Sequence, residues 1–130
     1  MNIVNNNNTI IGICLGMQLL CEKSDEGFGS GLGIFKTNLT KFSNNLKVPH
    51  MGWNEIHLNK SYKDKTITIP ERYYFVHSYK VDSSFEYSLY HTNYGENFTS
   101  IIKKNKIWGL QFHPEKSHKY GMNLFRKILQ

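Results

Sequence analysis

The chain has 130 residues, of which 39% are hydrophobic and 20% charged, and a formal net charge of +6. This is one domain's worth of chain with enough apolar content to fold, so disorder is excluded. The lysines are scattered apart from Lys103, Lys104 and Lys106, with no zinc-finger spacing or aromatic RNA-binding signature, so the basic balance reads as a solvated surface and not as a nucleic-acid interface.

In chain order, residues 1–8 are mostly asparagine and read as a weakly ordered start. Residues 9–13 (TIIGI) form a short apolar run that predicts a fully buried strand. Residues 15–22 predict a helix, with Leu15, Gln18, Leu19 and Glu22 at helical spacing. The apolar stretch 10–21 is too short to cross a membrane and lacks the basic flank of a signal peptide. A helix between Cys14 and Cys21 would hold them about 10 Å apart, too far for a disulfide. Two unbridged thiols suit a reducing cytoplasm. Residues 27–33 (GFGSGLG) are a glycine-rich loop without a Walker lysine or serine, and a turn is favoured over a phosphate cradle.

Residues 48–54 (VPHMGWN) read as a turn-rich motif leading into a strand near residues 55–58. Residues 73–76 and 87–92 predict strands. Residues 99–103 and 107–112 predict a hairpin turning at 104–106. Residues 120–129 predict an amphipathic helix whose apolar face carries Leu124, Phe125, Ile128 and Leu129. No repeat or linker divides the chain, so residues 1–130 read as a single domain. The order of elements predicts a mixed α/β sheet with a helix at each end.

Two segments carry chemistry. Gly12-Ile13-Cys14-Leu15-Gly16 follows the first strand and opens the first helix, the arrangement of a nucleophile elbow with cysteine as the nucleophile. A sharp strand-to-helix reversal strains the middle residue, and side chains two positions away on either side would collide, which accounts for the two glycines. Cys14 then projects at a helix start, where partial positive charge favours thiolate. The backbone N–H of Leu15 faces a prospective oxyanion hole. The plainer alternative is a buried cysteine in a tight turn. The second segment, Gln111-Phe112-His113-Pro114-Glu115, ends an apolar strand. His113 is a candidate general acid and base, since histidine is the side chain suited to exchanging protons near neutral pH. In extended geometry Glu115, two residues on, points the same way and would orient the imidazole. The alternative is a surface histidine beside a solvated glutamate. Cys21 reads as a small buried hydrophobe. His50, His57, His91 and His118 have no metal-ligand spacing, so neither metal nor cofactor is assigned. His77 reads as a structural hydrogen-bonding group.

Together these segments resemble the class I (triad) glutamine amidotransferases, and among them the glutaminase subunits of imidazole glycerol phosphate synthase, of histidine biosynthesis. The matching stretches are GICLGMQLL (12–20), VPHMGWN (48–54), YYFVHSY (73–79), NYGENF (93–98) and GLQFHPEKS (109–117), spread over nearly the whole chain. The resemblance implies the C-terminal portion of a flavodoxin-like α/β domain. It also implies a Cys14, His113, Glu115 triad: Cys14 attacks the side-chain amide of glutamine, Leu15 N–H holds the oxyanion, His113 moves the protons and Glu115 orients it. Gln18 and the backbone at His77, Ser78 and Tyr79 would hold glutamine. Trp53 and Lys116 would meet a (β/α)8-barrel synthase in a heterodimer that receives the ammonia.

The chain departs from the family at its start. Only thirteen residues precede Cys14, where members carry further strands and a P-G-x-G loop giving the second oxyanion N–H. The expectation is therefore a domain lacking its N-terminal strands, poorly stable and nearly inactive alone. Two alternatives to the synthase assignment stand beside it. One is a glutaminase for an N-acetyl sugar amidotransferase of surface glycans. The other is an inactive remnant that only binds a partner.

Overall fold

The computed structural model describes residues 8–25, 30–59 and 69–130. The elements are β1 (Ile10–Ile13), α1 (Leu15–Leu20), β2 (Lys23–Ser24), β3 (Asn38–Lys41), β4 (His50–Glu55), β5 (His57–Leu58), β6 (Arg72–His77), β7 (Tyr79–Asp82), β8 (Ser88–Asn93), β9 (Asn97–Lys104) and β10 (Ile107–Leu110). A single 3₁₀ turn (Pro114–Lys116) and α2 (His118–Ile128) follow. Among the described residues the main sheet runs β1-β10-β9-β7-β3-β2, with β8 branching from β9 and carrying β5. β1 runs parallel to β10 and β2 to β3, and the other pairs are antiparallel. β4 and β6 form a separate antiparallel ribbon, in register from His50↔His77 to Glu55↔Arg72. The expected mixed α/β sheet, with a helix near each end, is present.

Alternation along the strands fills two cores. Ile107 packs with Met17, Leu20, Cys21 and Phe35 around α1, while Trp108 and Leu110 pack with Tyr73, Phe75, Phe112, Leu124 and Ile128 toward the β4–β6 ribbon and α2. On the α1 side Gly12 and Gly109 are register partners on neighbouring strands. A Cβ on Gly12 would lie 2.7 Å from the Gly16 backbone, and one on Gly109 2.9 Å from Met17 Cγ. The paired glycines form a flat seat that lets α1 sit close against the sheet.

Several expectations shift at their edges. The first helix stops at Leu20, two residues early, because the following loop captures its last carbonyls. Leu32, Phe35 and Gly33 donate their N–H groups to the carbonyls of Leu19, Leu20 and Cys21. Gly31 is needed there, since a Cβ would meet the Cys21 carbonyl oxygen. The described part of the glycine-rich loop is thus a helix cap, while the rest of it, and residues 1–7 of the asparagine-rich start, lie outside the described residues. Residues 50–54 are strand, not turn. Pro49 stays outside the ladder, and Gly52 supplies a φ of 126° that side chains rarely adopt. The hairpin between β9 and β10 turns through Asn105 at φ 56°, a left-handed conformation asparagine tolerates. α2 begins earlier than expected, and its buried stripe is Gly121, Leu124 and Ile128; Phe125 is half-buried and Leu129 exposed.

Candidate active site

Cys14 lies between β1 and α1 with φ 52° and ψ −103°, the strained backbone expected of an elbow. Its N–H donates to Leu110 O at 2.7 Å, which locks the bend onto the end of β10. The glycine on the strand side is required by the contact with Gly16. The expectation that both glycines avoid collisions holds only for Gly12, because a Cβ on Gly16 would meet nothing within 4 Å. Leu15 opens α1, so its N–H lies outside the helix's own hydrogen-bond ladder. The Cys14 sulfur lies 3.6 Å from Val76 O and 3.9 Å from Gln111 Nε2.

A cleft beside this sulfur is lined by Cys14, Leu15, Gln18, Val76, His77, Ser78 and Tyr79. The elbow, the first turns of α1 and the β6–β7 corner therefore meet in one place. All the residues expected to attack, hold the oxyanion or bind glutamine from these segments are in that lining.

His113 and Glu115 reach the same end of the sheet from β10. Because β1 and β10 run parallel, Cys14 and His113 both follow C-terminal strand ends. His113 and Glu115 are not part of the cleft lining. His113 Nδ1 is 2.8 Å from Glu115 Oε2. A carboxylate only accepts, so Nδ1 carries the proton and Nε2 is left to exchange one. This contact forms for a different reason from the one expected. The backbone after His113 is not extended; it winds into the 3₁₀ turn, and that turn brings the carboxylate back to the ring.

Ser117 fixes this turn, a role not read from the sequence. Its buried hydroxyl accepts from Tyr74 N–H at 3.0 Å and donates to His113 O at 2.7 Å, while His113 N–H donates to Tyr74 O at 2.8 Å. Three bonds clasp the His113 loop onto β6. A Cβ on Gly121 would overlap Pro114 O, so α2 packs directly on the same turn. Serine after HPEK was visible in the sequence, but its partner on β6 was not.

His77 is buried and belongs to a directional chain. Its Nδ1–H donates to Tyr79 O at 2.9 Å, its Nε2 accepts from His50 Nδ1 at 3.0 Å, and His50 Nε2 accepts from Asn54 Nδ2 at 3.2 Å. This pattern holds both rings neutral. Burial pushes His50 down to about 4. Burial pushes His77 down to about 3, against the upward pull of its bond to Tyr79 and with further lowering by His50 and His113. Cys21 is buried, as expected, and burial pushes its thiol up to about 12.

Trp53 stands on the exposed edge of β4, stacked 6.0 Å from His118 and with the Arg72 guanidinium 5.5 Å from its ring. Trp53, Arg72, His118, Lys119 and Tyr120 line a shallow groove. Lys116 is exposed on the adjoining 3₁₀ turn. Among the described residues no group of His, Cys, Asp and Glu could hold a metal ion, and no helix is long and apolar enough to cross a membrane.

Residues 1–129 match the family model described as glutamine amidotransferase class-I. The imidazole glycerol phosphate synthase subunit HisH of Buchnera aphidicola is 49% identical over 94% of this chain and 63% of its own length. Subunit HisH 2 of Methanococcus maripaludis is 42% identical over 98% of this chain and 65% of its own. The chain thus spans just under two thirds of the length of these curated relatives. A solved structure titled as a glutamine amidotransferase superposes with a TM-score of 0.68 at 15% identity, over 98% of this chain and 63% of that one. The structure of a glutamine amidotransferase from Thermotoga maritima gives 0.58 at 19% identity, over 88% and 44%.

Proposed function

Because the chain belongs to the class-I glutamine amidotransferase family, we propose that it carries the glutamine-hydrolysing centre of an imidazole glycerol phosphate synthase. The observation that carries this reading is the single cleft in which Cys14, Leu15 and Gln18 face the corner His77-Ser78-Tyr79. Glutamine would enter with its side-chain amide toward Cys14 and its amino-acid end against Gln18 and the β6–β7 corner.

The thiolate of Cys14 attacks the amide carbon, and the negative charge that forms on oxygen accepts from Leu15 N–H. His113 Nε2 takes the Cys14 thiol proton as the thiolate forms and then gives that proton to the departing ammonia. A glutamyl thioester remains on Cys14. His113 then takes a proton from water as that water attacks the thioester, releasing glutamate. Glu115 holds the Nδ1 proton and stabilises the imidazolium in each half of the cycle. The names of the relatives favour the synthase of imidazole glycerol phosphate, in histidine biosynthesis, as the destination of the ammonia. The Trp53 groove, rich in aromatic and cationic side chains, has the composition of a protein-docking surface. Its occupant in this reading is a (β/α)8-barrel synthase, joined as a heterodimer that works in the cytoplasm.

The test is incubation with a glutamine-mimicking electrophile, with and without the synthase partner, followed by peptide mass spectrometry. An adduct on Cys14, lost in Cys14→Ala and blocked by excess glutamine, is the expected result. Failure to label Cys14 in the complex would overturn the assignment and leave a chain that only binds a partner.

A further inference from the structure

Gln111 is fully buried, yet only half of its side-chain amide is accounted for. Nε2 points at the Cys14 sulfur at 3.9 Å, while Oε1 is buried without a hydrogen-bond partner among the described residues. A buried unpaired carbonyl lowers stability, and an apolar side chain of the same shape would avoid that cost. A glutamine kept at such a position points to a role outside folding.

The surroundings of Cys14 indicate that role. The titratable groups lining its cleft besides the thiol are His77 and Tyr79, and among the described residues no Lys, Arg, Asp or Glu lines it. His77 is locked as a neutral ring by the chain to His50 and Tyr79. Val76 O, 3.6 Å from the sulfur, is an acceptor that favours the protonated thiol. His113, with Glu115 on its Nδ1, reaches this end of the sheet from β10. Gln111 lies on the same segment, two residues before it. An N–H directed at sulfur stabilises S⁻ more than SH, since a hydrogen bond to an ion is about twice as strong as one between neutral groups.

We propose that Gln111 is a further catalytic residue whose side-chain amide donates to Cys14 Sγ, holding the sulfur as thiolate and aiming it into the cleft. This rests on Cys14 being the nucleophile. It assigns to the QFHPE segment two functions, thiolate stabilisation through Gln111 and proton transfer through His113.

The test measures alkylation of Cys14 by iodoacetamide against pH, read by fragment-ion mass spectrometry that assigns the adduct to Cys14 and not to Cys21, since no Lys or Arg separates the two. Wild type is compared with Gln111→Met, which keeps length without a donor, and Gln111→Glu, which puts an acceptor against the sulfur. The midpoint is expected to rise by about one pH unit in Q111M, roughly tenfold less thiolate at neutral pH, and further in Q111E. A merely structural role would change the plateau rate through access and leave the midpoint in place. An unchanged midpoint in folded Q111M overturns the proposal; if Q111M does not fold by circular dichroism, Gln111→Leu, which also lacks a donor, gives the same reading. Iodoacetamide needs no glutamine site, so the two readings fail separately. An unchanged midpoint with a glutamine analogue still labelling Cys14 removes only the Gln111 role. A shifted midpoint with no analogue labelling in any form supports Gln111 and removes the glutaminase assignment.

Discussion

Ser117 shows how much of a site can depend on a residue that touches no reactant. Its hydroxyl ties the His113 turn to Tyr74 on β6, and both backbone groups it serves lie in the part-buried interior of that joint. In Ser117→Ala the Tyr74 N–H and one bond to the His113 carbonyl lose their partner, which costs about 1–3 kcal/mol. On the proposed function, the expected outcome is a lower urea midpoint together with a kcat reduced about tenfold or more and a KM for glutamine near wild type, because Ser117 does not line the cleft beside Cys14. Ser117→Thr, which keeps the hydroxyl, should recover most of the kcat. An equal loss in KM would place Ser117 in substrate binding instead. Cys14 is the complementary case: its strained φ follows from the elbow sequence, but Val76 O and Gln111 Nε2 beside its sulfur come from β6 and from the segment after β10, far along the chain.

Elements meet here through glycines, and the two elbow glycines differ in kind. Gly12 faces the Gly16 backbone and Leu20 Cδ1 across the β1–α1 contact, whereas Gly16 faces open space and has no positive φ. Gly12→Ala is expected to lose about 1–3 kcal/mol, because backbone must shift to admit the methyl group. Gly16→Ala should be neutral or stabilising by about 0.5–1 kcal/mol, since alanine restricts the unfolded chain and favours helix. Denaturant melts of the two variants check this, and equal destabilisation would contradict the contact geometry. The seat beneath α1 needed Gly109 as well as Gly12, and their pairing across β1 and β10 exists only once the parallel register is set.

For the whole molecule, the buried His50–His77 pair makes stability depend on pH. Both rings have folded pKa values, about 4 and about 3, below an ordinary histidine value near 6.5. Between these limits the unfolded chain binds more protons than the folded one, so stability rises with pH. It is fully present above about pH 7 and is lost progressively as pH falls from about 6.5 toward 4. The loss should reach the order of a few kcal/mol. Urea melts from pH 7.5 to 4.5 should show a falling midpoint, with a shallower slope in a folded His50→Asn variant. At the same scale, Trp53 is the large aromatic of the aromatic and cationic groove. Truncation of such an anchor costs about 2 kcal/mol or more in binding. Under the proposed docking of a synthase partner on this groove, Trp53→Ala should therefore weaken that association by about thirtyfold or more in calorimetry, while electrophile labelling of Cys14 in the isolated chain stays unchanged. Unweakened association would move the docking surface elsewhere.

The order of the amino acids by itself determined the local devices. These are the G-x-C-x-G bend, the apolar strands β1 and β10, the hairpin between β9 and β10 and the pairing of His113 with Glu115 two residues away. Each depends on residues close in sequence, so their sterics and hydrophobic periodicity are written in a few neighbouring letters. Tertiary structure alone decided that residues 50–54 are strand, because pairing with β6 overrides the turn-forming Gly52 and Asn54. It alone placed Ser117 under Tyr74, Gln111 beside Cys14 and His50 against His77. These contacts span 43, 97 and 27 residues. Whether a buried polar group is satisfied, and by what, is a property of the packed chain, and no local pattern records it.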